Sequence, residues 1–388
     1  MSINFPISLE THILAFAATL ALSLSFTAWL AYFLKGSHPL AQFLLHHSRS
    51  HKEDEEVSPF GGLAVVASFL IVLWGSFYLG WIHIFYLISF LLVTVGVLAM
   101  ILLGFVDDLV NLKARFKLMM QLVIALFLVF NGLTANQIGD FNWAWLGAAW
   151  SLLWIAGITN GFNLVDGQDG LSGGLAFITC GFAAMIFWNR EIYEASLLAT
   201  LLAGSVLGFL FFNFPPARIY LGNTGSLPLG LLVSLIFVSA WTRGFQDEVY
   251  LILPLSMLLV PISDTVFAFF RRIFKGVSPF ARDTDHLHHR LVKLGFTVRQ
   301  SISILFGLTL YFDLVTLIYI RNIDRIPFFT PLFVLFLMLN VCLMIATLVH
   351  LECARKGERL CIRHLATNQY VLIGGLLIVN IVFFIKAW

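Results

Sequence analysis

Charge is what this sequence has least of. Only 11% of its 388 residues are Asp, Glu, Lys or Arg, against about 25% in an ordinary soluble domain, while 60% are hydrophobic. That composition excludes a soluble globular protein and requires a lipid bilayer around the chain. Basic and acidic residues nearly balance, 23 against 21, and there is no basic tail, so no nucleic-acid partner is expected. Cysteine is scarce as well. Cys180, Cys342, Cys353 and Cys361 have neither metal-site nor disulfide-framework spacing, and Cys353 and Cys361, in a basic loop, read as free thiols of a reducing compartment. No Lys or Arg precedes the first apolar run, which makes it a poor signal peptide and a retained helix. Repeats and low-complexity tracts are missing too, and residues 1–388 read as a single transmembrane domain.

What fills the chain is apolar sequence. A helix needs roughly 17–25 apolar residues to cross the hydrocarbon layer. Twelve windows qualify, near 11–34, 62–79, 84–104, 118–132, 143–160, 171–188, 195–213, 227–242, 250–270, 301–320, 328–350 and 369–386. The expected fold class is all-α, a polytopic integral membrane bundle of about 10–12 transmembrane helices. Lys and Arg in the loops set its orientation. Of the 23 basic residues 18 fall on one face, leaving Arg190, Arg243, Arg321, Arg325 and Lys386 opposite. The basic face is the expected cytoplasmic one.

Five polar segments break the apolar pattern, all on that face: Ser48 to His51, Asp107-Asp108, Asn160 to Gly170, Gly222 to Ser226 and Asp285 to His289. Asp107 and Asp108 are expected at the water-facing end of the third helix. Carboxylates there oppose the helix dipole and call for positive charge, from Mg²⁺ or from Lys113, Arg115 and Lys117; a solvated loop pair is the plain alternative. Asn160, Asn163, Asp166 and Asp169 are expected in an interhelical segment whose hard oxygens suit Mg²⁺. Its glycines permit close approach to a phosphate or sugar, although turns favour these residues anyway. Asn223 and its neighbours could simply cap the eighth helix, but Asn213 and Arg218 precede them, and the Arg218 fork suits a pyrophosphate. His286, His288 and His289 sit among Arg271, Arg272, Lys275, Arg282, Arg290 and Lys293. No second ligand cluster has structural-zinc spacing, so these histidines fit nucleotide diphosphate better; an ordinary positive-inside loop is the alternative. Asp264 lies at the right end of its helix to fix Arg271 or a histidine. Asp313 is too deep to join the site, by about 12 residues at 1.5 Å each.

In this order the segments resemble the polyprenyl-phosphate N-acetylhexosamine-1-phosphate transferases, from about Ser48 to Phe296. Gly104-Phe-Val-Asp-Asp108 with Lys117 and Gln121 is similar to that family's aspartate-pair motif, and Asn160-x-x-Asn-x-x-Asp-Gly-x-Asp-Gly-Leu171 to its most distinctive run. Asp283-x-x-His-x-His-His289 resembles the branch using UDP-N-acetylglucosamine, and Arg290-Leu291 departs from the phospho-MurNAc-pentapeptide branch. The resemblance implies transfer of a sugar 1-phosphate from a UDP-N-acetylhexosamine to undecaprenyl phosphate with release of UMP. It implies a multi-pass protein of the bacterial inner (plasma) membrane with a cytoplasmic site, Mg²⁺ (or Mn²⁺) as cofactor, and leaves a homodimer open. By the same resemblance Asp107 and Asp108 are catalytic, and Asp108 with Asn223 holds the metal. His51, Lys117, Asn160, Asn163, Asp166, Asp169, Asn213, Arg218, Arg282, His286, His288 and His289 are then the substrate-binding set. The family usually carries Asp, a magnesium ligand, where this chain has Asn223. That departure keeps a catalytically impaired binder as a rival. A transporter would instead carry its polar groups at the bilayer midplane.

Overall fold

A computed structural model describes residues 6–34, 57–135, 144–242, 249–274, 276–278, 285–323, 330 and 333–342. His51, Arg282 and the window at 369–386 lie outside the described residues.

The described chain is all helix, with no strand among the described residues. In order the helices are α1 Leu9–Phe33, α2 Gly62–Tyr78, α3 Leu87–Val110, α4 Ala114–Phe130, α5 Ala144–Val165, α6 Leu171–Asn189 and α7 Tyr193–Asn213, then α8 Asn223–Thr242, α9 Val249–Met257, α10 Leu259–Phe274, α11 Leu287–Lys293 and α12 Val298–Asn322, and finally the short α13, Phe333–Cys342. Among the described residues seven segments are long and apolar enough to cross a membrane: Leu9–Phe33, Ile84–Val110, Trp145–Val165, Leu171–Asn189, Tyr193–Asn213, Asn223–Thr242 and Val298–Asn322. An all-α polytopic membrane bundle is therefore what the chain forms.

Local chemistry sets several boundaries. Ser8 accepts the Thr11 N–H at 3.1 Å and opens α1. Thr297 and Gln300 form a reciprocal capping box that opens α12, satisfying two of the donors that a helix start leaves free. The ninth apolar window, 250–270, is two helices with a break at Leu258. Pro261 has no N–H to offer the carbonyl of Met257 one turn back, and Thr179 Oγ1 reaches that carbonyl from α6 at 3.4 Å.

Helix α8 is the axis. It packs on α2, α3, α5 and α7, and its most apolar stretch is 100% buried, against 22% for that of α1. Helix α1 lies outside against α7 and α2, and α6 bridges α7 to α12. Helix α10 leans on α5, which brings the histidine segment after it toward the polar end of the axis.

Candidate active site

The aspartate pair occupies the last turn of α3. Asn111 then takes a left-handed backbone, φ 55°, with its N–H on the Asp107 carbonyl at 2.8 Å. The chain reverses there and brings the first turn of α4 back over α3. Asp107 Oδ1 accepts the Leu112 N–H at 2.8 Å, and Oδ2 accepts from Lys117 Nζ at 2.7 Å. Asp107 is only 4% exposed. The expectation that it faces water is corrected: the reversal that supplies its counter-ion also covers it.

Asp108 solves the same electrostatic problem differently. Its Oδ1 accepts from the Asn223 N–H at 3.0 Å and from Asn223 Nδ2 at 2.9 Å. Its Oδ2 accepts from the Thr224 N–H at 2.8 Å and Thr224 Oγ1 at 2.6 Å. An ionised carboxylate offers about four lone-pair sites, and all are taken. The C-terminal carboxylate of α3 thus caps the N-terminus of α8, whose positive dipole end offsets its charge. Asn223 and Thr224 are donors to another helix rather than caps of their own.

This contact needs two glycines. A Cβ on Gly104, one turn before Asp108, would collide with the Asn223 carbonyl. Gly222 has φ +69°, and a Cβ there would strike the Pro59 carbonyl. The turn that leads into α2 is tied to the same approach by Tyr220 N–H to the Ser58 carbonyl at 2.8 Å and Gly61 N–H to the Tyr220 carbonyl at 2.9 Å.

The Asn223 amide joins the two aspartates' surroundings. Its Nδ2 faces Asp108, and its Oδ1 accepts from Lys117 Nζ at 3.3 Å. Asp107 Oδ2 and Asn223 Oδ1 therefore converge on one cation, the Lys117 ammonium. Two hard oxygens suit Mg²⁺ when phosphates and water complete the shell. The hard oxygens of Asp107, Asp108 and Asn223 are of the type that ion takes. Asp108, expected as a metal ligand with Asn223, accepts four hydrogen bonds from the start of α8. Among the described residues no group of three His, Cys, Asp or Glu side chains comes together as a protein-only metal cage.

The Asn160 to Gly170 run is not all loop. Helix α5 continues to Val165, so Asn160 and Asn163 are helical and one turn apart. Packing overrides the low helix propensity of Asn and Gly, because Gly161 lies against Thr265 and Pro261 of α10. Asn163 Oδ1 accepts from Ser226 Oγ at 2.9 Å, tying α5 to the first turn of α8. Asp166 stands half-buried in the turn after α5, and Asp169 Oδ2 accepts the Ala217 N–H at 3.2 Å. Asn213 is buried and brackets two loops: its Oδ1 accepts the Gly170 N–H and its Nδ2 donates to the Ile219 carbonyl, both at 2.9 Å. Arg218 is exposed on the same loop.

The histidine segment completes this end. A side chain at Gly167 would collide with the His288 ring, so the 160–170 turn and α11 are in contact. His288 and His289 have ring centroids 4.1 Å apart, and His286 lies 5.8 Å from His288. His286 Nδ1 is 2.9 Å from Asp264 Oδ2; the expectation that Asp264 fixes Arg271 or a histidine resolves in favour of His286. His288 Nε2 and His289 Nδ1 are buried without a hydrogen-bond partner among the described residues. Burial first, and then the charges of neighbouring imidazoles, push His288 down to about 3. Burial alone would raise the Asp285 carboxyl, but the Lys293 hydrogen bond and the charges of Lys293, Arg271 and Arg290 outweigh it and hold the group below the usual carboxylate range.

Four of the five polar segments thus meet at one end of the bundle; His51 and Arg282 belong to stretches outside the described residues. Two participants were not singled out from sequence as site residues. Thr224 and Ser226 resemble ordinary helix-start residues, and only a carboxylate or amide from another helix gives them meaning. Gln121 is fully buried one turn beyond Lys117, with both amide atoms unpartnered. The resemblance of the aspartate-pair motif places it beside Lys117.

Fold and site define a helical membrane protein with a polar, partly charged centre built on the N-terminus of its innermost helix. The sequence pattern of glycosyl transferase family 4 matches residues 87–240, which contain the aspartate pair, Lys117, the Asn160 to Asp169 run and Asn223. The chain is 34% identical over 264 residues to the "Probable undecaprenyl-phosphate N-acetylglucosaminyl 1-phosphate transferase" of Bacillus subtilis (strain 168), covering 66% of this chain and 71% of that one. It is 28% identical over 224 residues to the undecaprenyl-phosphate alpha-N-acetylglucosaminyl 1-phosphate transferase of Escherichia coli (strain K12), covering 55% and 60%. A phospho-N-acetylmuramoyl-pentapeptide-transferase of Halalkalibacterium halodurans is 30% identical over 304 residues, covering 73% and 89%. The chain belongs to glycosyl transferase family 4.

Proposed function

We propose that this chain moves N-acetylhexosamine 1-phosphate, GlcNAc 1-phosphate first among candidates, from a UDP-sugar to undecaprenyl phosphate, releasing UMP and starting a cell-envelope polysaccharide. The observation that carries this reading is the convergence of Asp107, Asp108, Lys117 and Asn223 at the start of α8, beside the Asn163 and histidine segments. A lipid phosphate oxygen attacks the sugar-bearing phosphorus; the bond to the bridging oxygen breaks, and UMP leaves with that electron pair. Two anions must approach each other, so positive charge fixed in advance is the main requirement.

Lys117 is the cation placed for it. Asp107 holds the ammonium in position rather than meeting the lipid phosphate itself, and Asn223 shares the same ammonium. Asp108 fixes the α8 N-terminus and with it Asn223. Asn160 and Asn163 at the end of α5, with Asp166 and Asp169 in the turn after it, bind nucleotide or sugar. His288 is a neutral hydrogen-bonding group there, suited to a hydroxyl or amide of the sugar. Mg²⁺ or Mn²⁺ would be held by the oxygens of this cluster, from Asp107, Asp108 and Asn223, and would supply further neutralisation of the pyrophosphate. The site faces the cytoplasm of a bacterial inner membrane, in keeping with the 18 basic residues on that side.

The long alignment with the pentapeptide transferase favours a second reading, in which the sugar is phospho-MurNAc-pentapeptide. Purified protein with undecaprenyl phosphate and a panel of UDP-sugars separates the cases. UMP release with UDP-GlcNAc is the expected result. Release only with UDP-MurNAc-pentapeptide selects the second reading, and retention of UDP-sugar without UMP makes the chain a binder.

A further inference from the structure

Asp264 lies on α10, beyond the residues that the family pattern matches, and is nearly closed off from solvent, at 2% exposure. Both its oxygens are aimed at the histidine segment. Oδ1 accepts the Leu287 N–H at 2.7 Å, and Oδ2 lies 2.9 Å from His286 Nδ1. The backbone bond satisfies the first turn of α11, which has no side-chain cap of its own. The ring bond does something different. A carboxylate only accepts, so His286 Nδ1 must carry a proton, and Nε2 is the nitrogen left for anything outside the pair. His286 is itself 4% exposed and stacks at 9° on His288, which holds the ring plane.

We infer that Asp264 is a positioning residue for the transfer reaction: it sets the tautomer and direction of His286 and, through the Leu287 N–H, the start of the helix that presents His288 and His289. The proposal rests on the transferase reading only in taking the histidine segment as part of the substrate site. At metal sites a partner that orients a ligating imidazole is worth about tenfold to a hundredfold in affinity or activity, and the same scale is expected for this ring. A purely architectural Asp264 would act on all of α11 alike and independently of His286.

Asp264→Asn separates these roles, because its carbonyl can still accept the Leu287 N–H while its NH₂ donates toward Nδ1 and reverses the tautomer. Combined with His286→Gln in a double-mutant cycle of UMP release, each single change should lower kcat about tenfold to a hundredfold. The double variant should be no slower than His286→Gln alone. Losses that multiply would overturn the proposal. Imidazole ¹⁵N spectra of the wild-type protein, assigned by loss of the signal in His286→Gln, test it without a folded Asp264 variant. A protonated Nδ1 at His286 is expected, and a bare Nδ1 would overturn it. If the wild type released no UMP, the transferase reading would fail while the spectrum still decided the Asp264–His286 relation.

Discussion

Asp108 and Asn223 are joined twice through a single oxygen: Asp108 Oδ1 accepts both the backbone N–H and the side-chain Nδ2 of Asn223, at 3.0 and 2.9 Å. The pairing accounts for an amide at a position where a carboxylate is expected. An Asp there would set one carboxylate against another, and the contact would then depend on a cation between them.

Asn223→Asp should therefore lose about 1–3 kcal/mol of stability in chelator, the cost of a broken buried hydrogen bond, and recover it with Mg²⁺ more fully than the wild type does. UMP release should gain most at low Mg²⁺. Thermal unfolding and turnover measured against Mg²⁺ concentration for both proteins check this. Superimposable curves would show that residue 223 takes no part in cation binding.

Lys117→Met leaves the Asp107 carboxylate buried without its counter-ion, since their side chains are 16% and 3% exposed. Breaking such a pair costs about 3–5 kcal/mol. Adding Asp107→Asn should restore most of the stability and none of the turnover. If the double variant melts no higher than Lys117→Met, the ion pair is not what the lysine contributes.

Gly104→Ala should separate α3 from α8, because the new methyl meets backbone rather than a movable side chain. Overpacking of this kind costs about 1–3 kcal/mol, and turnover should fall further because Asp108 loses its donors. Gly181→Ala, where the space is open, is the matched control. Equal activity in the two variants would remove the close approach from the argument.

Burial holds His288 down to about 3, so the unfolded chain takes up a proton at this residue below about pH 6.5 and the folded one does not. Its contribution to stability is complete above that pH and is lost progressively on acidification toward about pH 3. His288→Gln should flatten the fall in melting temperature between about pH 6.5 and pH 4. An unchanged slope would mean that His288 titrates alike in both states.

Much of this architecture was legible because apolar length and loop charge are strong signals in a membrane chain. The windows at 171–188 and 195–213 match α6 and α7 closely, and the shared face of the polar segments foretold that Asp108 and Asn223, 115 residues apart, would meet. Helix ends were less legible. Asn160 and Asn163 look like loop residues, and only contact with α10 makes them helical. The partition of charge was hidden altogether: nothing in Asp107-Asp108 tells that one carboxylate takes an ammonium and the other a helix start. That division follows from the reversal at Asn111 and from the glycines that let α8 approach.

The burial of α8 on every side has a consequence for how the chain tolerates change. Helix α1 has a lipid face, so substitutions along it should be accepted and refused in alternation about every 3.6 residues. Along α8 no such rhythm is available, because every direction from its axis meets protein. A saturation scan of residues 224–241 should read as one uninterrupted block of intolerance, in which changes of side-chain volume are refused as firmly as changes of polarity.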